Sequence, residues 1–151
     1  MSIRSYTRQN CPVAHTLSVV GDQWTLLIIR DVLSGPKRFD ELQRELGISR
    51  NLLAKRLKRM VEGDLLARRS IPNSRRFVYC LTPKALELRP TILALAEWGQ
   101  KWREPAGGAD VEITEKETGE TVGLRYCRLS DGREVKSDKI SVRRTMGVKG
   151  I

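Results

Sequence analysis

Apolar residues recur along the first hundred positions at helical spacing, and the breaks between the runs fall on glycine and proline. Pro12 suits the first position of a helix, where a missing N–H costs nothing. The run VAHTLSVVG after it predicts a helix that stops near Gly21. The next run, QWTLLIIRDVL, is apolar on nearly all sides at Trp24, Leu26, Leu27, Ile28, Ile29, Val32 and Leu33, which places it at the centre of a core. SGP at 34–36 breaks it. A short third helix follows from Phe39 to Leu46, with Phe39, Leu42 and Leu46 on one side. Gly47 stands where a helix C-terminal glycine belongs, and Ser49 is a good N-cap for a fourth helix.

On a wheel of 100° per residue, Leu53, Leu57 and Met60 of that fourth helix fall together, with Leu52 and Val61 at the flanks. Asn51, Lys55 and Lys58 fall opposite, and Arg50 lies in the first turn. Residues 65–70 and 76–81 read as two strands, with Phe77, Tyr79 and Leu81 alternating and IPNSR between them as turn chemistry. Thr82-Pro83 then opens a long helix carrying Leu86, Leu88, Ile92, Leu93, Leu95, Ala96, Trp98 and Trp102, in which Pro90 predicts a kink or a split. PAGGAD at 105–110 reads as a linker. Beyond it VEIT and TVGLRYCRL are strand candidates, with turns expected at Thr118-Gly119 and Asp131-Gly132.

The expected fold is therefore mainly α (α+β): a winged helix-turn-helix with a long C-terminal dimerisation helix and a small β-rich C-terminal extension. Residues 1–104 form the first domain and residues 105–151 the extension.

Charge sharpens this picture. The 151 residues carry a formal net charge of +10, and such an excess attracts polyanions. It sits in residues 1–104; the extension is close to neutral. Residues 50–76 alone hold nine Lys or Arg against two acids, Glu62 and Asp64. A capped helix after a glycine turn, basic on one face and followed by a basic hairpin, fits double-stranded DNA, because the major groove admits a helix.

Arg50 and Asn51 have the donors that read guanine and adenine edges, and Lys55 and Lys58 lie further along the face, where phosphates are held. Ser49 caps the same helix. Asn73, Ser74, Arg75 and Arg76 form a tip suited to a minor groove or backbone. Lys37 and Arg38 precede the third helix and are candidates for backbone phosphate. A winged helix that binds proteins instead of DNA is the alternative, and the Asn51, Lys55, Lys58 face argues against it.

Other classes find little support. No apolar run approaches a membrane span, and the first residues resemble no signal peptide, so a cytoplasmic protein is expected. Three cysteines without a CxxC pair fit a reducing compartment. One histidine, no pair of metal-spaced ligands, no phosphate loop and no nucleophile–base pair make an enzyme, a metal or a cofactor unexpected. Cys11 stands at the N-terminal end of a helix, which favours a thiolate and makes it a redox-sensing candidate. The leucine row with Trp98 and Trp102 would not be left in water by a small domain, so a homodimer is expected.

The order of residues from CPVAHTLSVVGDQWTLLIIRDVL through RFDELQ and GISRNLLAKRL to YCLT and LALAEWGQKW resembles the HxlR family of bacterial transcriptional regulators, relatives of MarR. The likeness covers roughly residues 10–103. It implies a winged-helix homodimer on palindromic operators. It also implies a sensing role for Cys11, since some members respond to quinones, aldehydes or disulfide stress through a cysteine at that position. Some longer members carry an extension like a zinc ribbon. Here Thr118-Gly119 and Cys127 fall where its cysteines would stand and only one cysteine remains, so the resemblance implies a metal-free ribbon.

Overall fold

The computed structural model describes residues 11–74, 76–102 and 111–142. The chain forms two compact units, one ending at Gly99 and one beginning at Gln100.

The first unit runs α1 (Pro12–Val20), α2 (Thr25–Leu33), α3 (Phe39–Leu46), α4 (Arg50–Glu62), β1 (Leu66–Ser70), β2 (Phe77–Leu81), α5 (Pro83–Leu86) and α6 (Arg89–Trp102), the last crossing the boundary. Local chemistry sets most of these ends. Pro12 opens α1, and Gly21 closes it by donating its N–H to the Leu17 carbonyl at 2.8 Å. A Cβ at Gly21 would collide with that same carbonyl, so the turn requires glycine. Asp22 then fastens the start of α2, accepting the Trp24 and Thr25 amides at 2.9 and 3.1 Å and the Thr25 hydroxyl. This cap makes α2 begin at Thr25, two residues later than the apolar run.

Gly47 takes the left-handed conformation (φ 63°) after α3, a cost only glycine avoids. Ser49 caps α4, its hydroxyl accepting the Leu52 amide at 3.4 Å. Leu53, Leu57 and Met60 of α4 are buried and Leu52 and Val61 are half-buried, as the wheel predicts. They pack with Ile28, Ile29 and Val32 of α2, Leu42 of α3, and Leu66 and Tyr79 of the hairpin in one core. Each such side chain contributes ~1.5–3 kcal/mol by leaving water.

The hairpin is antiparallel, with Leu66 opposite Leu81, Arg68 opposite Tyr79 and Ser70 opposite Phe77. Both strands are one residue shorter than expected. Lys37 adds a bridge on the outer edge of β2, exchanging two backbone hydrogen bonds with Tyr79. That bridge ties the wing to the α2–α3 connection. The expected alternation holds only in part: Tyr79 is buried, but Phe77 is exposed near the tip, and Cys80 on the other face is buried as well. The hairpin base is packed on both sides, so period-two burial fades there.

Thr82 joins the hairpin to the last helices. Its hydroxyl donates to the Asp64 carbonyl at 2.7 Å and accepts the Ala85 amide. The expected long helix is split into α5 and α6, and Pro90 occupies the first turn of α6, where its missing N–H is harmless. On α6 only Ile92 is buried. Leu95 is 48% exposed, Trp98 67% and Trp102 65%, so most of its apolar face is open.

The second unit departs from the expected strands. VEIT contributes a single bridge, Thr114 to Thr121, and TVGLRYCRL forms strand only at β3 (Tyr126–Cys127), paired with β4 (Glu134–Val135). Two turns organise it, at Glu115–Gly119 and Arg128–Gly132. Each ends on a glycine with positive φ whose N–H returns to the carbonyl of the turn's first residue at 2.9 Å. A side-chain pair spans each turn: Thr118 donates to Glu115 at 2.6 Å, and Arg128 donates to Asp131 at 2.8 Å. Cys127 stands in β3, ahead of the second turn.

Candidate nucleic-acid interface

The outward face of α4 is the centre of the site. The Asn51 and Lys55 side chains are exposed and hold no hydrogen bond or ion pair among the described residues. Lys58 reaches Glu62 at 3.8 Å, one turn on, with both side chains mostly exposed. An exposed pair of this kind is worth ~0–1 kcal/mol and is readily exchanged. Arg50, in the first turn, lies over the Phe39 ring at 5.0 Å and stands 3.7 Å from Asp40. The ring supplies a flat support for the guanidinium, and the carboxylate is a weak, solvent-screened partner. Ser49 differs from the rest of the set because its hydroxyl is engaged at the helix end.

Arg38 precedes α3. Its backbone N–H donates to Glu41 at 2.6 Å, and its guanidinium meets the other oxygen of the same carboxylate at 2.9 Å. This pair of hydrogen bonds from Arg38 holds the Glu41 carboxyl below the usual glutamate value, and the carboxylate raises the arginine above its own. Lys37 is committed to Glu45, with its ammonium 2.9 Å from both oxygens.

At the wing tip Asn73 takes a left-handed conformation (φ 59°). The Ser74 hydroxyl accepts the Arg76 amide at 3.1 Å, and Ile71 and Arg76 close the turn through the backbone. Asn73, Ser74 and Arg76 are exposed. Arg75 lies outside the described residues. The tip end of the wing returns toward α3: Arg38, Arg44 and Arg76 border one shallow depression of about 390 Å³ with Phe39 and Phe77. Two arginines of α3 and its N-cap and one of the wing thus share a depression with the carboxylates Asp40 and Glu41.

Two features escaped the sequence. Arg68 stacks over Phe77 and Tyr79, 4.8 and 5.9 Å from the ring centroids. The β1–β2 register creates that stack, and nothing in the local sequence marks it. Arg56, one residue after Lys55, turns inward and pairs with Asp22 at 3.1 Å. It belongs to the flank of α4 and not to its outward face.

Cys11 is the residue before α1, half-buried, with its backbone carbonyl accepting the His15 amide at 3.0 Å. Cys80, which is buried, and Cys127, which is exposed, are free thiols. Among the described residues no three His, Cys, Asp or Glu gather as metal ligands, and no helix is long and apolar enough to cross a membrane.

The family profile described as HxlR-like helix-turn-helix matches residues 19–107, which takes in α2 to α6 and the whole wing. The chain belongs to the HxlR-like helix-turn-helix family. It is 33% identical to the HTH-type transcriptional regulator Rv3095 of Mycobacterium tuberculosis over 132 residues, 85% of this chain and 82% of that one. With YodB, an HTH-type transcriptional regulator of Bacillus subtilis, it shares 32% identity over 98 residues, 63% of this chain and 88% of YodB.

Among solved structures, PA1607, named as a candidate transcription factor, matches with a TM-score of 0.82 and 32% identity over 93% of this chain and 99% of that one. The reduced and quinone-bound forms of YodB match at TM-scores of 0.54 and 0.53, each at 30% identity, over 66% and 61% of this chain and 100% and 99% of theirs. The HxlR-like fold is thus a winged helix-turn-helix, and its relatives are transcriptional regulators. The expected fold class and family hold.

Proposed function

We propose that this HxlR-like protein is a homodimeric, cytoplasmic repressor that binds a palindromic DNA operator and leaves it when Cys11 is oxidised or alkylated. The observation that carries the reading is the division of α4. Its apolar row is spent on the core, while Asn51, Lys55 and Lys58 stand in solvent with the Arg50 guanidinium at one end. A helix so divided can enter a major groove without disturbing its own packing. Arg50 and Asn51 read base edges in this account. Lys55, Lys58, Arg38 and Arg76 hold phosphates, and Asn73, Ser74 and Arg75 follow the neighbouring groove.

The open face of α6 supports a second copy, whose two-fold axis would repeat the half-site. The place of Cys11 at the start of α1, a helix that also exposes Val13, Leu17 and Val19, supports the sensing role. A thiolate is favoured at a helix N-terminus, and the relative YodB has been captured with quinone bound.

Selection of bound duplexes from a random pool, run with and without diamide, tests the reading. The expected product is a two-fold symmetric site, recovered by the reduced protein and lost under oxidant, with a Cys11→Ser variant keeping it. Recovery of no common sequence would favour a winged helix that binds proteins.

A further inference from the structure

Along one flank of α4 lies a cavity of about 540 Å³ between the C-terminal half of the helix and the end of α1. Pockets for small organic molecules span on the order of 300–1,000 Å³. Leu17, Val19, Met60 and Leu65 give the cavity apolar walls. Its charged groups are Arg56, Arg59 and Asp22, so it carries two guanidiniums against one carboxylate.

These groups are unequally satisfied. Asp22 already accepts from the Trp24 and Thr25 amides and from the Thr25 hydroxyl. Arg56 reaches Asp22 through Nη1 at 3.1 Å, and its enclosed Nε has no hydrogen-bond partner among the described residues. The arginine side chain is only 20% exposed, so its charge is not left to bulk water. Arg59 is exposed at the rim and makes no ion pair among the described residues. An arriving carboxylate could draw Arg56 away from Asp22 without orphaning that residue, and paired N–H···O bonds to two guanidiniums are strong and directional.

We propose that this cavity binds a small monocarboxylate with an apolar body, held between Arg56 and Arg59, and that its occupancy alters the affinity of α4 for DNA. The coupling follows from the helix itself. Arg56 and Arg59 are the immediate neighbours of Lys55 and Lys58, so a roll or shift of α4 that closes on the ligand also moves the outward face. The ligand changes DNA affinity only to the extent that it prefers one of the two placements. The binding half stands on the cavity alone, and the coupling half rests on the DNA-binding reading above.

The test uses the full chain with 2-naphthoate as probe and 2-naphthalenemethanol as its uncharged counterpart. Calorimetric titration and amide NMR spectra should show saturable naphthoate binding with shifts at Val19, Gly21 and Gly63, and binding of the alcohol about tenfold weaker or less. Arg59→Gln, at an exposed position, should weaken naphthoate about tenfold with an unchanged melting curve. Arg56→Gln should do the same, and Arg59→Gln decides the question if that variant fails to fold.

Equal binding of acid and alcohol, shifts confined to other surfaces, or undiminished binding by Arg59→Gln would overturn the site. Operator affinity is then measured without and with saturating naphthoate. The first value tests DNA binding itself. A change of about threefold or more with the probe is the expected coupling, and an unchanged value at proven saturation overturns that half.

Discussion

Helices α4 and α6 are both amphipathic, and the fold uses them in opposite ways. In α4 the apolar row Leu53, Leu57, Met60 is almost wholly buried, and what remains outside is mainly polar and cationic, with Ala54 and Glu62 beside it. In α6 only Ile92 is buried, while Leu95, Trp98 and Trp102 lie in solvent. A helix whose apolar face is satisfied has its polar face free for a charged partner. A helix whose apolar face is uncovered needs an apolar one, and a second copy of the same helix is the simplest. Under the proposed function the contrast assigns DNA to α4 and the dimer to α6, and substitutions on the two helices should separate the readouts.

The largest effect is expected inside α4. Leu57→Ala removes a fully buried side chain, so unfolding in urea should show a loss of about 2–5 kcal/mol, with DNA binding failing only because the fold does. Next comes α6. Trp98→Glu should reduce the mass measured by light scattering to that of one chain, since a central aromatic at an interface is commonly worth about 2 kcal/mol or more. Its helical circular dichroism should stay unchanged. A dimer that survives this variant would move the interface off α6.

Arg50→Ala follows, at about 1–3 kcal/mol of operator affinity and with relaxed preference at one base pair, because a paired contact to a base edge is lost. The melting curve should barely move, since Arg50 stands on the surface with only weak local partners.

The smallest effect concerns Arg38 and Glu41. The Glu41 carboxyl is held down by Arg38, so its stabilising contribution is present above the ordinary glutamate value of about 4.3 and is lost as pH falls through the depressed one. Glu41→Gln should therefore melt earlier than the parent at neutral pH. The two should converge in acid below the depressed value.

What the sequence revealed tracks how local each cause is. Helices α1 to α4 were legible because Pro12, Gly47 and Ser49 act within one turn and the apolar period acts within one helix. Pro90 likewise announced a break within residues 83–102. Arg56 was not legible as an inward residue: it lies at the flank of the apolar row, and its partner Asp22 is distant in sequence. The Arg68 stack needed the β1–β2 register.

In the extension, propensity suggested longer strands than the two-residue β3 and the single bridge that formed. Among the described residues there, only Val135 and Ile113 escape full exposure, and β-propensity expresses itself mainly against a packed face. The two turns, set by Gly119 and Gly132 and their short-range bonds, did appear where their sequences placed them. The wing tip was legible up to Ser74, while the expectation for Arg75 lies outside the described residues.

The central claim is that the outward face of α4 carries DNA recognition separately from the fold. The most direct measurement is the operator affinity of a Lys55→Glu, Lys58→Glu double variant beside its melting temperature, using the duplex selected by the parent protein. The account predicts affinity lowered by about a hundredfold or more, toward the level of random DNA, at an unchanged melting temperature. Undiminished affinity in a folded double variant would contradict it.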